Sequence, residues 1–313
     1  MKPKELQETL RKLWLGGNRQ AILVVGPPGI GKTEIVRQVA DSLGFSFSVS
    51  HPVVADPTDY KGLPALVGER EADFLPYGPL LELVKADRPH IHLVDDLGQA
   101  LPSVQAALMQ LVLARRVGEH QVSPHVRFAL ATNRREDRAG VNVLLAPLLN
   151  RCIVVELQPS VRDWLKWAEQ VGVHRTIIHF VEIFPRHLTE PNGKELEAGN
   201  TPRSIAALDS VYRLFRRHSL LIELVRGTTT TAVSQDFKWF LEHRGELPRL
   251  SDMVSRPESA RVPENPAART ALARAVVAHA RETDEGEARR LRKYVERLGP
   301  EAAAMYDAER RYR

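Results

Sequence analysis

The stretch Gly26-Pro27-Pro28-Gly29-Ile30-Gly31-Lys32-Thr33 matches the pattern G-x-x-x-x-G-K-[ST]. Residues of these types at this spacing suit a phosphate group. Glycines let the backbone wind tightly, so that several N–H groups point at one anion. A helix opening at Lys32 adds the positive end of its dipole. Lys32 would supply a mobile charge to the β- and γ-phosphates of a nucleotide, and the Thr33 hydroxyl a ligand for Mg²⁺. Gly26 to Thr33 and the next residue, Glu34, are therefore the candidate ATP-binding set. Such a loop needs an acid at the end of a later strand. His90-Ile91-His92-Leu93-Val94-Asp95-Asp96 supplies two. Asp95 would hold the Mg²⁺ water shell and Asp96 would polarise an attacking water. The plainer reading of adjacent carboxylates is a solvated strand end.

Two further residues separate hydrolysis from simple binding. The apolar run Phe128-Ala129-Leu130-Ala131 ends in Thr132-Asn133. An uncharged Asn133 can orient water without repelling phosphate, although Asn also serves ordinary turns. Arg151 closes Leu144-Leu145-Ala146-Pro147-Leu148-Leu149-Asn150-Arg151. An arginine there can reach a neighbouring subunit's nucleotide and stabilise transition-state charge. Arg134, Arg135 and Arg138 are rivals for that role, and a locally paired surface arginine is the alternative.

These groups need elements to position them. Leu6, Leu10, Leu13 and Trp14 recur at helical spacing within residues 1–20. Short apolar runs at 21–25, 91–94, 127–131 and 152–157 fit buried strands, and 45–49 alternates as a weaker one. Helical patterns at 32–43 and 101–114 separate them. Strands alternating with helices predict an α/β three-layer sandwich around a parallel sheet. Strand signals stop near residue 159, and the remainder reads as helical. Residues 247–266 hold Pro248, Pro257, Pro263 and Pro266 and read as an extended linker; 267–281 and 287–313 read as helices.

Composition sets outer bounds. With 313 residues, 43% of them hydrophobic, the chain can bury a core without disulfides. The single cysteine, Cys152, excludes an internal disulfide and any multi-cysteine metal site, and it begins an apolar strand where it would pack. No apolar run reaches the roughly 18 residues of a membrane span, and the first residues lack a leader's apolar stretch; a cytoplasmic location without membrane contact is the expectation. A net charge of +5 permits a nucleic-acid partner, but residues 281–313 hold nine basic against eight acidic residues. That balance describes a solvated helix better than a phosphate-binding tract. His90 and His92 share a strand face with no cysteine beside them, and read as packing or surface residues.

Together these segments resemble the AAA+ ATPases and, within them, the MoxR-like branch. Gly26 to Thr33 resembles Walker A, Val94-Asp95-Asp96 Walker B, Asn133 sensor 1 and Arg151 the arginine finger. Thr201-Pro202-Arg203-Ser204 resembles sensor 2, with Arg203 directed at the γ-phosphate. The branch is carried by Asp56-Pro57-Thr58-Asp59-Tyr60-Lys61-Gly62-Leu63-Pro64 and by two candidate hairpins, at 62–78 and 115–122. Hairpins of that kind tend to face a pore, which would place Phe74 and Tyr77 there unless they pack a loop. The resemblance implies a nucleotide core at 1–159, a helical lid at 160–235 and a helical extension at 236–313. It also implies a homo-oligomeric ring, a hexamer, that uses ATP and Mg²⁺ to remodel or activate a partner protein complex, commonly with a von Willebrand factor A protein. Two readings stand beside it: a nucleic-acid motor or loader, and a nucleotide-gated scaffold that turns over slowly. One residue departs from the family pattern, because the second Walker B acid is usually Glu and here is Asp96. The lost methylene shortens its reach by about 1.5 Å, a misplacement that can cost about 10²-fold in rate. Asp96→Asn is expected to abolish steady-state phosphate release while ATP still binds. Unchanged hydrolysis in that variant would remove Asp96 from the mechanism.

Overall fold

A computed structural model describes residues 1–311 except 70, 138–139, 141, 143 and 190–198. Two compact units make up the chain, Met1–Gln158 and Pro159–Arg313.

In the first unit the three inner apolar runs, at 22–25, 90–94 and 126–132, become strands because both their faces are covered. The central strand, β1 (Ile22–Val25), lies between β8 (Val126–Thr132) and β9 (Ile153–Glu156). Beyond β8 come β5 (His90–Val94) and the edge strand β2 (Ser46–Ser50), giving the order β2-β5-β8-β1-β9. Every neighbouring pair is parallel. Alternate residues enter opposite layers, as the strand period of two requires. Leu23, Phe128 and Leu130 pack into one apolar cluster; Ile22, Val24, Ala129 and Ala131 pack into the other. On the second face lie α1 (Pro3–Leu15), which buries Leu6, Leu10 and Trp14, and α2 (Lys32–Ser42). On the first lie α3 (Thr58–Lys61), α4 (Gly78–Lys85), α5 (Pro102–Met109) and α6 (Ala146–Leu149). This is the expected three-layer α/β fold.

Two details differ from the expected helix at 101–114. α5 ends at Met109, and Gln110–Ala114 continue as a wider π turn. Arg115 then turns the chain in the left-handed region, at φ 55°. Both candidate hairpins are present. β3 (Leu63–Leu66) pairs antiparallel with β4 (Ala72–Leu75), and β6 (Arg116–Val117) with β7 (His120–Gln121). They touch each other: a Cβ on Gly118 would lie 2.5 Å from the Phe74 carbonyl oxygen.

The second unit is helical throughout its described residues. It runs α7 (Val161–Gln170), α8 (Arg175–Ile183), α9 (Arg186–Thr189), α10 (Pro202–Phe215), α11 (Leu221–Thr228) and α12 (Thr231–His243). It continues through α13 (Leu250–Ser255), α14 (Pro266–Ala280), α15 (Glu285–Leu298) and α16 (Pro300–Arg311). Ser160, Thr201, Thr230, Asn265 and Asp284 cap five of these helices, each cap contributing about 1 kcal/mol. The boundary expected at 235/236 falls inside α12. One apolar cluster draws on both sides of it, from Trp164 and Phe180 to Leu272 and Tyr294. Residues 247–266 are not an extended linker either. Leu247, Met253 and Ala260 are buried in that cluster, so the prolines sit in turns between packed residues.

Gly62 opens the β3–β4 hairpin at φ 89°, where a Cβ would meet the Leu75 carbonyl oxygen at 2.6 Å. Gly62→Ala is expected to lower the melting midpoint of the first unit by roughly 4–8 °C in calorimetry. Gly44→Ala, at φ 67° with open space around it, should cost less than half of that.

Candidate nucleotide-binding site

The strands of the first unit end at one edge of the sheet. There β1 releases Gly26, β5 releases Asp95 and β8 releases Asn133. These three strands are neighbours about 4.8 Å apart, so residues remote in sequence meet across one crevice.

The loop from Gly26 has the backbone that phosphate binding needs. Gly29 and Gly31 adopt φ 72° and 100°, conformations that other residues rarely hold. At Gly26 a Cβ would lie 2.9 Å from the Leu157 carbonyl oxygen, so no side chain fits. Within the loop Ile30 is buried, Pro27 is half-buried and Pro28 is exposed. Lys32 opens α2 with only 6% of its surface exposed. Its ammonium donates to the carbonyls of Gly26 (2.8 Å) and Pro27 (3.0 Å) and to Asn133 Oδ1 (2.7 Å). Thr33 Oγ1 donates to Asp95 Oδ2 at 2.5 Å. The Asp96 amide donates to Asp95 Oδ1 (3.1 Å), and Asn133 Nδ2 donates to Asp96 Oδ1 (3.4 Å). Lys32, Asn133, Asp96, Asp95 and Thr33 thus form a continuous series around the crevice. Asp96 sits at φ 56°, a conformation that an aspartate tolerates better than most residues.

A hydroxyl and a carboxylate converge at Thr33 and Asp95, and these hard oxygen donors suit Mg²⁺. Among the described residues no cluster of three or more His, Cys, Asp or Glu offers another metal site. Glu34 is exposed on α2, where Gln38 Nε2 donates to it at 3.0 Å.

Of the arginines, Arg134 is occupied. It grips Asp137 with two bonds of 3.1 and 2.8 Å and lies within 3.5 Å of Glu136 and 3.7 Å of Glu156. The Asp137 bonds lift its already high pKa further. Arg135 is exposed, and Arg138 lies outside the described residues. Arg151 is exposed, with no side-chain bond among the described residues, two residues before β9. β9 runs parallel to β1 with Ile153 opposite Ile22. The same register puts Arg151 opposite Gln20, so Arg151 is at the far end of the sheet from the loop that starts at Gly26, about 20 Å away at roughly 3.3 Å per residue. Arg203 belongs to the second unit. It is exposed in the first turn of α10, behind a reciprocal cap between Thr201 and Ser204.

Phe74 is 40% exposed on the hairpin, whereas Tyr77 is fastened to its loop by a 2.7 Å bond from its hydroxyl to Asp59. His90 and His92 are buried and hydrogen-bonded to Ser48. Cys152 is buried, which pushes its thiol up to about 11. Sequence reasoning passed over Ser50, whose carbonyl accepts the Asp95 amide at 2.9 Å. A signal was present: Ser46, Ser48 and Ser50 put a polar residue at every second position of β2, opposite His90 and His92.

Residues 22–159 match the ATPase family associated with various cellular activities (AAA). Lon protease 2 of Hydrogenovibrio crunogenus is 26% identical over 206 residues, 60% of this chain. The chain spans only 23% of that protease's length. Solved structures of RuvB from Thermotoga maritima are also similar. One, titled a Holliday junction branch migration motor, is 17% identical, with 88% of this chain and 80% of that chain covered and a TM-score of 0.44. A point mutant of RuvB covers 95% of this chain and 86% of its own at the same TM-score, 0.44.

Asn133 bridges the buried ammonium and the second acid. Asn133→Ala is therefore expected to slow hydrolysis by about 10²-fold or more while nucleotide affinity changes far less. Single-turnover rates beside equilibrium binding would check this, and equal losses in both would make Asn133 a binding residue only. The crevice at the strand ends lies within the span, residues 22–159, that matches the AAA family of ATPases.

Proposed function

We propose that the chain binds ATP with Mg²⁺ at the crevice and hydrolyses it as part of a homo-oligomeric ring that remodels a partner protein complex. The observation that carries this reading is the convergence of Lys32, Thr33, Asp95, Asp96 and Asn133 at one sheet edge. Backbone amides of Gly29 to Thr33 would hold the phosphates, and Lys32 would exchange its carbonyl partners for phosphate oxygens. Mg²⁺ held at Thr33 and Asp95 would neutralise charge on the phosphate chain. Asp96 would accept a proton from the attacking water, with Asn133 orienting both. The short Asp96 side chain makes slow unstimulated turnover the expectation.

Arg151 supports the ring. Standing about 20 Å from its own phosphate loop, it would serve a neighbouring copy's nucleotide rather than its own. Six copies, a cytoplasmic setting and a von Willebrand factor A partner are what the MoxR-like resemblance adds. In that scheme Arg203 would contact the γ-phosphate. The hairpin favours a protein client over nucleic acid: Leu63, Leu66, Val67 and Phe74 are exposed there, an apolar surface rather than a basic one.

Lys32→Ala removes a chain's own phosphate grip and Arg151→Ala its service to a neighbour. Each variant alone is expected to be inactive in phosphate release. Mixed one to one, they should recover roughly a quarter of wild-type activity, because that share of interfaces pairs an intact loop with an intact arginine. No recovery, with rings formed, would overturn the shared site.

A further inference from the structure

We infer that Gln105 is a positioning residue for Arg151, so that it acts on the nucleotide a neighbouring copy holds rather than on its own chain's. The inference rests on the reading of Arg151 as serving a neighbour.

Gln105 lies on α5 with none of its surface exposed. A buried amide side chain must be paired at both its oxygen and its nitrogen. Its Nε2 donates to the Ala100 carbonyl at 3.2 Å, and its Oε1 accepts the Leu145 backbone N–H at 3.3 Å. A carbonyl can only accept and a backbone amide can only donate, so the side chain has one possible orientation. It is a brace of fixed sense, reaching from the loop before its own helix to a residue forty positions on.

The two segments it joins are the turn after Asp96 and the start of α6. Gln99 N–H donates to the Asp96 carbonyl at 2.9 Å and Ala100 N–H to the Leu97 carbonyl at 3.2 Å, which winds 96–100 into one compact turn. α6 has four residues, too few to hold a helix unaided. Leu145, the residue before it, has no side-chain oxygen with which to cap it. Two contacts seat the helix instead. Leu148 is 1% exposed in the apolar cluster that also holds Leu97 and Ala100, and Gln105 holds the Leu145 N–H. From there the chain has no slack. Leu148 N–H donates to the Leu145 carbonyl at 3.0 Å, Asn150 N–H to Ala146 at 3.0 Å and Arg151 N–H to Leu148 at 3.2 Å. The point at which Gln105 fixes Leu145 therefore helps to fix where Arg151 stands.

Loss of Gln105 would not fall equally on its two ends. The Ala100 carbonyl keeps a second donor, Asn142 Nδ2 at 3.1 Å, and the Gly98 carbonyl still accepts the Asn142 backbone N–H. The turn behind Asp96 stays tied. The Leu145 N–H is half-buried, and among the described residues it donates to Gln105 alone. It would be left without a partner, a cost the start of α6 must bear. The disturbance travels to Arg151, and so to the neighbour's crevice.

The test mixes two disabled forms of the full chain one to one. A lender, Lys32→Ala, supplies Arg151; a host, Arg151→Ala, supplies the crevice. Gln105→Met, which nearly keeps the side chain's volume and removes both bonds, is added to one form or the other. In the lender it should cut the recovered phosphate release about tenfold or more, since a misplacement of about 1 Å can cost about 10²-fold. In the host it should leave release within about twofold, which also shows that the variant folds and assembles. A loss in the host as large as that in the lender, or no loss in the lender, would reduce Gln105 to packing and overturn the inference. No release from the parent mixture, with rings formed, would instead remove the shared site, and this inference with it.

Discussion

The site is organised around a buried ammonium. Lys32 exposes 6% of its surface, and a cation so placed is costly unless oxygens surround it. Two carbonyls of the phosphate loop and the Asn133 amide provide them. The loop's tight path and the position of the third strand's end are thereby tied to one charge. A phosphate entering the crevice would compete for the same ammonium, so filling the site and releasing Asn133 toward Asp96 would be linked events.

A parallel sheet gives the first unit two unlike ends. The C-terminal edge gathers the loop, the acids and Asn133, and the opposite edge carries Arg151. Since each crossover must return to the same starting edge, no local rearrangement brings Arg151 to its own phosphate loop. The proposed sharing of sites between copies follows from that direction. The same geometry explains the hairpins: both interrupt the layers between strands instead of joining the sheet, and Gly118 lets them touch.

The second unit is held by a different device. Glu182 is 5% exposed and accepts two bonds from Arg249, at 2.6 and 2.9 Å, while its carbonyl lies 2.8 Å from His279 Nε2. Residues nearly a hundred positions apart are fastened at one point beside an apolar cluster. Removing Arg249 would leave a buried carboxylate uncompensated, which makes this contact a determinant of how the helices meet.

Much of this was legible in the amino acids themselves. The motif at Gly26 to Thr33 is continuous in sequence, so the spacing of its glycines and Lys32 is visible without any partner. Short apolar runs declared the strands because a strand buried on both faces has no polar side to show. Long-range pairing was not legible. Thr33 and Asp95 are 62 residues apart, and nothing near either one in sequence names the other as its partner. The proline-bearing segment at 247–266 looked extended because prolines mark turns without saying whether the residues between them are buried. Ser50 looked ordinary because its partners, His92 on β5 and Asp95 just after it, are more than forty residues away in sequence. Composition and spacing therefore determined that this chain has a G-x-x-x-x-G-K-[ST] loop, adjacent acids and an alternating α/β core. Only the tertiary structure decided that Lys32 meets Asn133 across 101 residues and Thr33 meets Asp95 across 62, because such partners are selected by the order and register of adjacent parallel strands.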